Sequence, residues 1–212
     1  MTTKTDTRSQ DNAAPPGRGS PIGRRSAACL HADISGYTRL IANDVEATVR
    51  ILTVYRTMLG RITVAHGGRV IDDSGDSLLA DFPTVTGAVR AAIEIQRQLS
   101  ARNAALPEHH RIEFRVGIDL GDVLAEGDRI YGDCVNVAAR VQELSAPGGI
   151  CLTGSAFDHI GSLPVRFDYL GERTLKNIRQ PLRIYRFSGE EVSAGRTVDG
   201  PWATKEPSNF CS

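Results

Sequence analysis

The sequence predicts an α+β fold, a β-sheet with helices packed on one face. Three observations carry this. Short apolar stretches bounded by Gly, Ser, Asp and Pro recur along the chain and read as strands. Two longer stretches repeat their apolar residues at helical spacing. The order of elements runs strand, helix, hairpin, helix, strands, helix, strand, which suits a sheet covered by helices.

Residues 27–34 read as a buried strand ending at Asp33. Ser35-Gly36-Tyr37-Thr38 then forms a turn into a helix, with Ser35 placed to cap it and the free N–H groups facing outward as an anion site. From Val45 to His66, Ile51, Leu52, Tyr55, Met58, Leu59 and Ile62 recur at helical spacing, and Gly67-Gly68 ends that helix. Arg69–Asp73 and Ser77–Phe82 read as a hairpin whose turn, Ser74-Gly75-Asp76, leaves the Asp76 side chain free to reach a ligand. A second helix spans Val85–Leu99, with Ala88, Ala91, Ala92, Ile95 and Leu99 on one face. After the polar loop Arg102–Arg111 come strands at Ile112–Asp119 and Val123–Glu126 and a turn near Gly127-Asp128. A third helix covers Asp133–Leu144, with Val137, Val141 and Leu144 as its inner stripe and Asn136 and Arg140 together on another face. A strand at Ile150–Thr153, a short helix near Ser155–Ile160 and strands at Val165–Leu170 and Leu182–Phe187 complete the fold.

The chain has 212 residues. Residues 1–25 and 190–212 are poor in large apolar side chains and are expected to be disordered tails, since such segments cannot offset their ordering entropy. The central residues, 26–189, suffice for one domain with a real core. Lys plus Arg and Asp plus Glu number 25 each, so the basic footprint of a nucleic-acid binder is missing and no nucleic-acid partner is expected. Cys29, Cys134, Cys151 and Cys211 match neither a zinc pattern nor a disulfide framework, and a reduced, cytoplasmic chain is the simplest reading. No apolar run approaches the ~20 residues of a membrane span.

The chemistry lies in a few polar residues. Asp33 and Asp76 each follow or border an apolar stretch and would meet at neighbouring strand ends. Two such carboxylates, with phosphate oxygens, suit a pair of hard divalent cations. For either aspartate alone, the competing reading is a turn residue capping its own backbone. Arg140 carries a planar cationic fork suited to phosphate, against the alternative of a helix-surface ion pair with Glu143 or Asp133. Asn136 offers a neutral donor and acceptor for a ribose. A helix-capping role is the alternative, weakened by its place inside the helix.

In this light residues 26–187 resemble the catalytic domain of the class III adenylate/guanylate cyclases, in a bacterial form. The resemblance is carried by Ala32-Asp33-Ile34-Ser35-Gly36-Tyr37-Thr38-Arg39-Leu40, Gly75-Asp76-Ser77-Leu78-Leu79, Phe114-Arg115-Val116-Gly117-Ile118, Tyr131 through Arg140, and Leu175-Lys176-Asn177, in the family's order. It implies a ferredoxin-like βαββαβ-type sheet. It also implies that Asp33 and Asp76, with Ile34, hold two Mg²⁺ or Mn²⁺ ions, and that the backbone amides of residues 34–37 cradle phosphates. Ser35, Gly36, Tyr37 and Thr38 fall on that phosphate loop. Arg115 and Lys176 would contact the triphosphate, Asn136 would orient the ribose, and Arg140 would stabilise charge on the α-phosphate. The family is dimeric, so each site takes its metal aspartates from one subunit and Asn136, Arg140 and Lys176 from the other, in a homodimer or with another cyclase-like chain. The implied reaction turns a nucleoside triphosphate into a 3′,5′-cyclic monophosphate and pyrophosphate.

The chain departs from that pattern at the base. Adenylate cyclases of this family read adenine with a Lys four residues before the second metal Asp and an Asp seven residues before the Asn. Those positions are Asp72 and Arg129, both reversed in charge. Three readings follow: the pair reads guanine; the two side chains pair with each other in a loosely selective site that still takes ATP; or the pocket is spoiled and the domain is a silent nucleotide-binding or dimerisation module. No Gly-Gly-Asp/Glu-Glu-Phe stretch supports a diguanylate cyclase.

Overall fold

A computed structural model describes residues 22–38, 45–73, 75–107 and 110–190. The elements are β1 (Gly23–Ile34), α1 (Val45–Ala65), β2 (Arg69–Asp72), β3 (Ser77–Phe82), α2 (Val85–Asn103), β4 (Phe114–Glu126), β5 (Arg129–Tyr131), α3 (Asp133–Glu143), β6 (Ile150–Thr153), α4 (Gly154–Phe157), β7 (Val165–Arg173) and β8 (Leu182–Glu190). The strands form one sheet in the order β2-β3-β1-β4-β6-β8-β7, with β5 folded back on β4. The α+β class is the one the sequence predicts.

The centre of the sheet is the antiparallel pair β1–β4, in register from Gly23 opposite Ala125 to Ile34 opposite Phe114. Two expectations change here. The strands anticipated at Ile112–Asp119 and Val123–Glu126 are one continuous β4, because β1 pairs straight through Gly121 and Asp122. Gly121 serves a close approach rather than a turn: a Cβ there would lie 2.9 Å from the Cβ of Cys134. The N-terminal tail expected over 1–25 is also too long, since Gly23, Arg24 and Arg25 already pair with β4. Glu190, the first residue of the expected C-terminal tail, ends β8, while residues 1–21 and 191–212 and Ser74 of the β2–β3 turn lie outside the described residues.

Side chains alternate across a strand, so β1 divides the molecule. Ala28, Leu30, Ala32 and Ile34 face one side, where they meet Leu52, Tyr55, Leu59 and Ile62 of α1, Val89, Ala92 and Ile95 of α2, and Phe82, Val116 and Ile118 of the sheet. Fully burying side chains of this size contributes about 1.5–3 kcal/mol each. Thr84 caps α2 by accepting the Gly87 N–H at 3.1 Å. Gln96 then pins α2 to the sheet by donating to the carbonyls of Phe114 and Gly149, 2.9 Å each.

Helices on one face describes α1 and α2; α3 lies on the other face, and this corrects the expected arrangement. Ala27 and Cys29 of β1 pack there against Cys134 and Ala138, while Val137 and Val141 pack on Cys151 and Ile184. Gly117 makes room for the helix: a Cβ would stand 2.2 Å from the Ala138 carbonyl oxygen and 2.3 Å from the Gln142 nitrogen. The inner stripe of α3 is therefore Cys134, Val137, Ala138, Val141 and Gln142. Leu144, expected inside, is 39% exposed because the helix ends before it.

Candidate active site

Asp33 lies on the α3 face, one residue before the end of β1 and directly opposite Arg115 of β4. Arg115 Nη2 donates to Asp33 Oδ2 at 2.9 Å, and Gln142 Nε2, reaching down from α3, donates to the same oxygen at 3.3 Å. Asp33 is 22% exposed. Burial raises its pKa above the ordinary carboxylate value, the Arg115 bond opposes that rise, and the negative charge of Asp76 adds to it. Asp76 is thus near enough to be felt. Its turn is tied to β1 where the Ile34 N–H donates to the Asp76 carbonyl at 3.1 Å, next to the Asp33–Ser77 pair. Gly75 supplies the left-handed residue of that turn, at φ 70°.

The donor set suits divalent cations. Two carboxylates of like charge lie at adjoining strand ends, and among the described residues no group of three or more His, Cys, Asp or Glu is placed to hold a metal ion. Hard oxygens in that number are what magnesium takes when substrate phosphates complete its shell. On the segment expected to cradle phosphates, two backbone amides are already bonded. The Ile34 N–H goes to Asp76, and the Ser35 N–H donates to the Glu113 carbonyl at 2.8 Å, so these two amides already have partners. Gly36 completes the turn, and Tyr37 and Thr38 are helical, with Tyr37 packed against the core.

The other expected residues are placed separately. Asn136 is exposed on α3, and Arg140 bonds Glu143, the helix-surface ion pair weighed against its phosphate role. Lys176 is exposed between β7 and β8, beside Leu175, which is buried against α3 with Val137 and Val141. Asp72 ends β2 and Arg129 begins β5, both exposed. Their elements adjoin, since Arg69 of β2 donates to the Gly127 carbonyl in the β4–β5 turn at 3.1 Å.

Three residues near the site escaped the sequence reading. Gln142 had a faint signal, a polar side chain in step with Cys134 and Ala138. Arg56 of α1 donates to the Gly75 carbonyl and had no local signal. His31 lies two residues before Asp33 on the same face, with its Nδ1 buried and unpartnered. Burial lowers its pKa, and the negative charges of Asp33, Asp76, Asp72 and Glu143 oppose that fall.

Comparison with known proteins identifies the family. The family model of the adenylate and guanylate cyclase catalytic domain matches residues 24–189. The inferred adenylate cyclase 3 of Rhizobium meliloti is 36% identical over 188 residues, covering 88% of this chain but only 31% of the relative's length. A solved adenylate/guanylate cyclase/hydrolase from Silicibacter pomeroyi is 36% identical with a TM-score of 0.70, covering 78% of this chain and 97% of that one. The adenylyl cyclase CyaB from P. aeruginosa, at 20% identity, shares the fold with a TM-score of 0.71 over 84% of this chain and all of its own. Among the described residues no helix is long and apolar enough to cross a membrane. By the match along its whole folded length and the identity to these relatives, the chain belongs to the adenylate and guanylate cyclase catalytic domain family.

Proposed function

We propose that this chain converts a nucleoside triphosphate, ATP ahead of GTP, to the 3′,5′-cyclic monophosphate and pyrophosphate at an interface between two of its copies. The observation that carries this is the Asp33–Asp76 pair at adjoining strand ends, with Asp33 already oriented by Arg115 and Gln142. A pair of Mg²⁺ or Mn²⁺ ions bound there would lower the pKa of the ribose hydroxyl and neutralise charge on the phosphates.

The ribose 3′ oxygen attacks the α-phosphorus, its proton passes to solvent, and the bond from the α-phosphorus to the bridging oxygen breaks to release pyrophosphate. Gly36, Tyr37 and Thr38 face the terminal phosphates, with Arg115 and Lys176 supplying positive charge. Asn136 and Arg140 serve the partner's site, which the exposure of Asn136 and the partial exposure of Arg140 on α3 favour. Asn136 holds the ribose. Arg140 exchanges Glu143 for the α-phosphate, where charge grows in the transition state. Asp72 and Arg129 read the base. ATP is put first because the rest of the chain resembles bacterial adenylate cyclases.

The reversed charges at Asp72 and Arg129 favour a second reading, a catalytically silent nucleotide-binding or dimerisation module with a regulatory role. One assay separates the two: purified protein with ATP or GTP and Mg²⁺ or Mn²⁺, with cyclic product detected by mass. Asp33→Asn and Asp76→Asn should abolish product, and Arg140→Ala should lower kcat by about 10²–10³-fold with little change in KM. Full activity in either aspartate variant refutes the metal assignment, and no product from the unaltered chain under any condition supports the silent module.

A further inference from the structure

We propose that Arg56 is a positioning residue for the second carboxylate: reaching from α1, its guanidinium clamps the β2–β3 turn so that Asp76 presents its side chain to a divalent cation. This rests on the reading of Asp33 and Asp76 as the metal-binding pair.

The two carboxylates are supported in different ways. Asp33 sits within a central strand, and its own side chain is bonded by Arg115 and Gln142. Asp76 sits in a turn, behind a glycine at φ 70°, and the bond that ties it to β1 is made by its main-chain carbonyl. A turn held at one point can rock about that point, and a carboxylate on it sweeps a range of positions. The bond from Arg56 Nη2 to the Gly75 carbonyl is a second point, from the opposite side of the sheet. With the Ile34 bond it fixes both peptides that flank the Asp76 Cα or lead to it.

The clamp has a rigid base. Leu52, Tyr55 and Leu59, neighbours of Arg56 on α1, are all buried in the apolar core. Arg56 lines a small crevice together with Ile34, Tyr55, Leu59, Asp76 and Phe114, so the side chain lies between the core and the Asp76 turn. Arg56 Nε is buried there with no partner. A buried unpaired donor on a cationic side chain is unfavourable. A helix-surface arginine free to turn to solvent would not keep it, so the geometry points to a constraint met by the Nη2 bond. The charges agree as well. Arg115 stands behind Asp33 on the α3 side, and Arg56 brings a second cation behind Asp76 on the α1 side. Arg115 bonds the Asp33 carboxylate directly, whereas Arg56 acts on the main chain beside Asp76.

The test uses the full chain, Mn²⁺ and an ATP analogue lacking the 3′ hydroxyl, so that no turnover occurs. Free Mn²⁺ is read by electron paramagnetic resonance, and thermal unfolding is recorded alongside. Arg56→Met, which keeps the stem but loses charge and donors, should weaken Mn²⁺ binding about tenfold, equivalent to about 1.4 kcal/mol. Arg56→Lys should restore part of it, and Asp76→Asn serves as the control. If Asp76→Asn loses Mn²⁺ while Arg56→Met binds it like the unaltered chain, the role of Arg56 is wrong and the metal site stands. If Asp76→Asn also binds normally, the metal assignment itself is wrong. A weakening in Arg56→Met that tracks a fall in unfolding temperature and is not relieved in Arg56→Lys marks a purely structural residue and overturns the proposal.

Discussion

The two faces of the sheet are built from the same strands to different rules. On the side of α1 and α2, the inward residues of β1, β3 and β4 are all apolar: Ala28, Leu30, Ala32, Ile34; Leu78, Ala80, Phe82; Phe114, Val116, Ile118. On the side of α3, the same strands turn in Cys29, His31, Asp33, Asp81, Arg115, Gly117 and Asp119. The first face is a core of side chains that want only to leave water. The second mixes an apolar patch under α3 with polar groups that need partners: Asp33 with Arg115 and Gln142, Asp81 with Arg25 and Arg69, Asp119 with Thr153 and Ser155. One face supplies the stability that lets the other hold charges in place.

A substitution on the apolar face should therefore cost stability and little else. Leu30 is fully buried in the larger core. Leu30→Ala should lower unfolding free energy by about 2–5 kcal/mol, the transfer of the lost atoms plus the cavity they leave. Urea unfolding measures the loss, and an assay normalised to the folded fraction should find cyclic-nucleotide turnover unchanged. A large fall in turnover per folded molecule would mean the two faces are not separable.

Gly117 tests the other face. An alanine there places a methyl against the backbone of Ala138 and Gln142, atoms that cannot swing aside. The helix must move, and with it Gln142 on Asp33, the exposed Asn136 and the half-buried Arg140. Gly117→Ala should cost about 1–3 kcal/mol by overpacking. Turnover should fall on the order of 10²-fold, because small misplacement of reacting groups is expensive. Stability is thus affected less than by Leu30→Ala and activity far more. Loss of both in the same proportion as in Leu30→Ala would erase the distinction between the faces.

The same contrast explains what was legible in the sequence. On the apolar face, strand alternation and helical spacing are both written in hydrophobic residues, so β1, α1, α2 and the β2–β3 hairpin could be read locally, as could the turn after α1 at Gly67-Gly68. Asp33 and Asp76 stood out because they interrupt apolar stretches. On the α3 face the pattern is broken by the polar residues that give it interest, so neither the side taken by α3 nor the continuity of β4 through Gly121 and Asp122 shows in a local window. Both depend on contacts with distant segments: Gly121 on Cys134, Gly117 on Gln142. Gln142 reaches Asp33 across 109 positions and Arg56 reaches Gly75 across 19, and such bonds have no signature in spacing.

Asp119 offers the finest test of the polar face, since it lies buried away from the proposed chemistry. Thr153 Oγ1 and Ser155 Oγ donate to its Oδ1 at 2.5 and 2.8 Å. Burial raises its pKa, and the two hydroxyl bonds pull it partly back. The folded chain therefore keeps this proton to higher pH than the unfolded chain does. Between the ordinary carboxylate value and the raised one the folded state binds more protons, so stability falls as pH rises through that window. Below the window both states are protonated and the residue contributes no slope. Asp119→Asn stays neutral throughout and its amide oxygen can still accept a hydroxyl. Urea midpoints across a series from mildly acidic to neutral pH should show the variant losing less stability than the unaltered chain, by less than either substitution above costs. Asp33, raised in the same direction, keeps a residual slope in both. Parallel curves for the two proteins would mean that Thr153 and Ser155 fully compensate the burial of the Asp119 charge, leaving this end of the α3 face as undemanding as the apolar one.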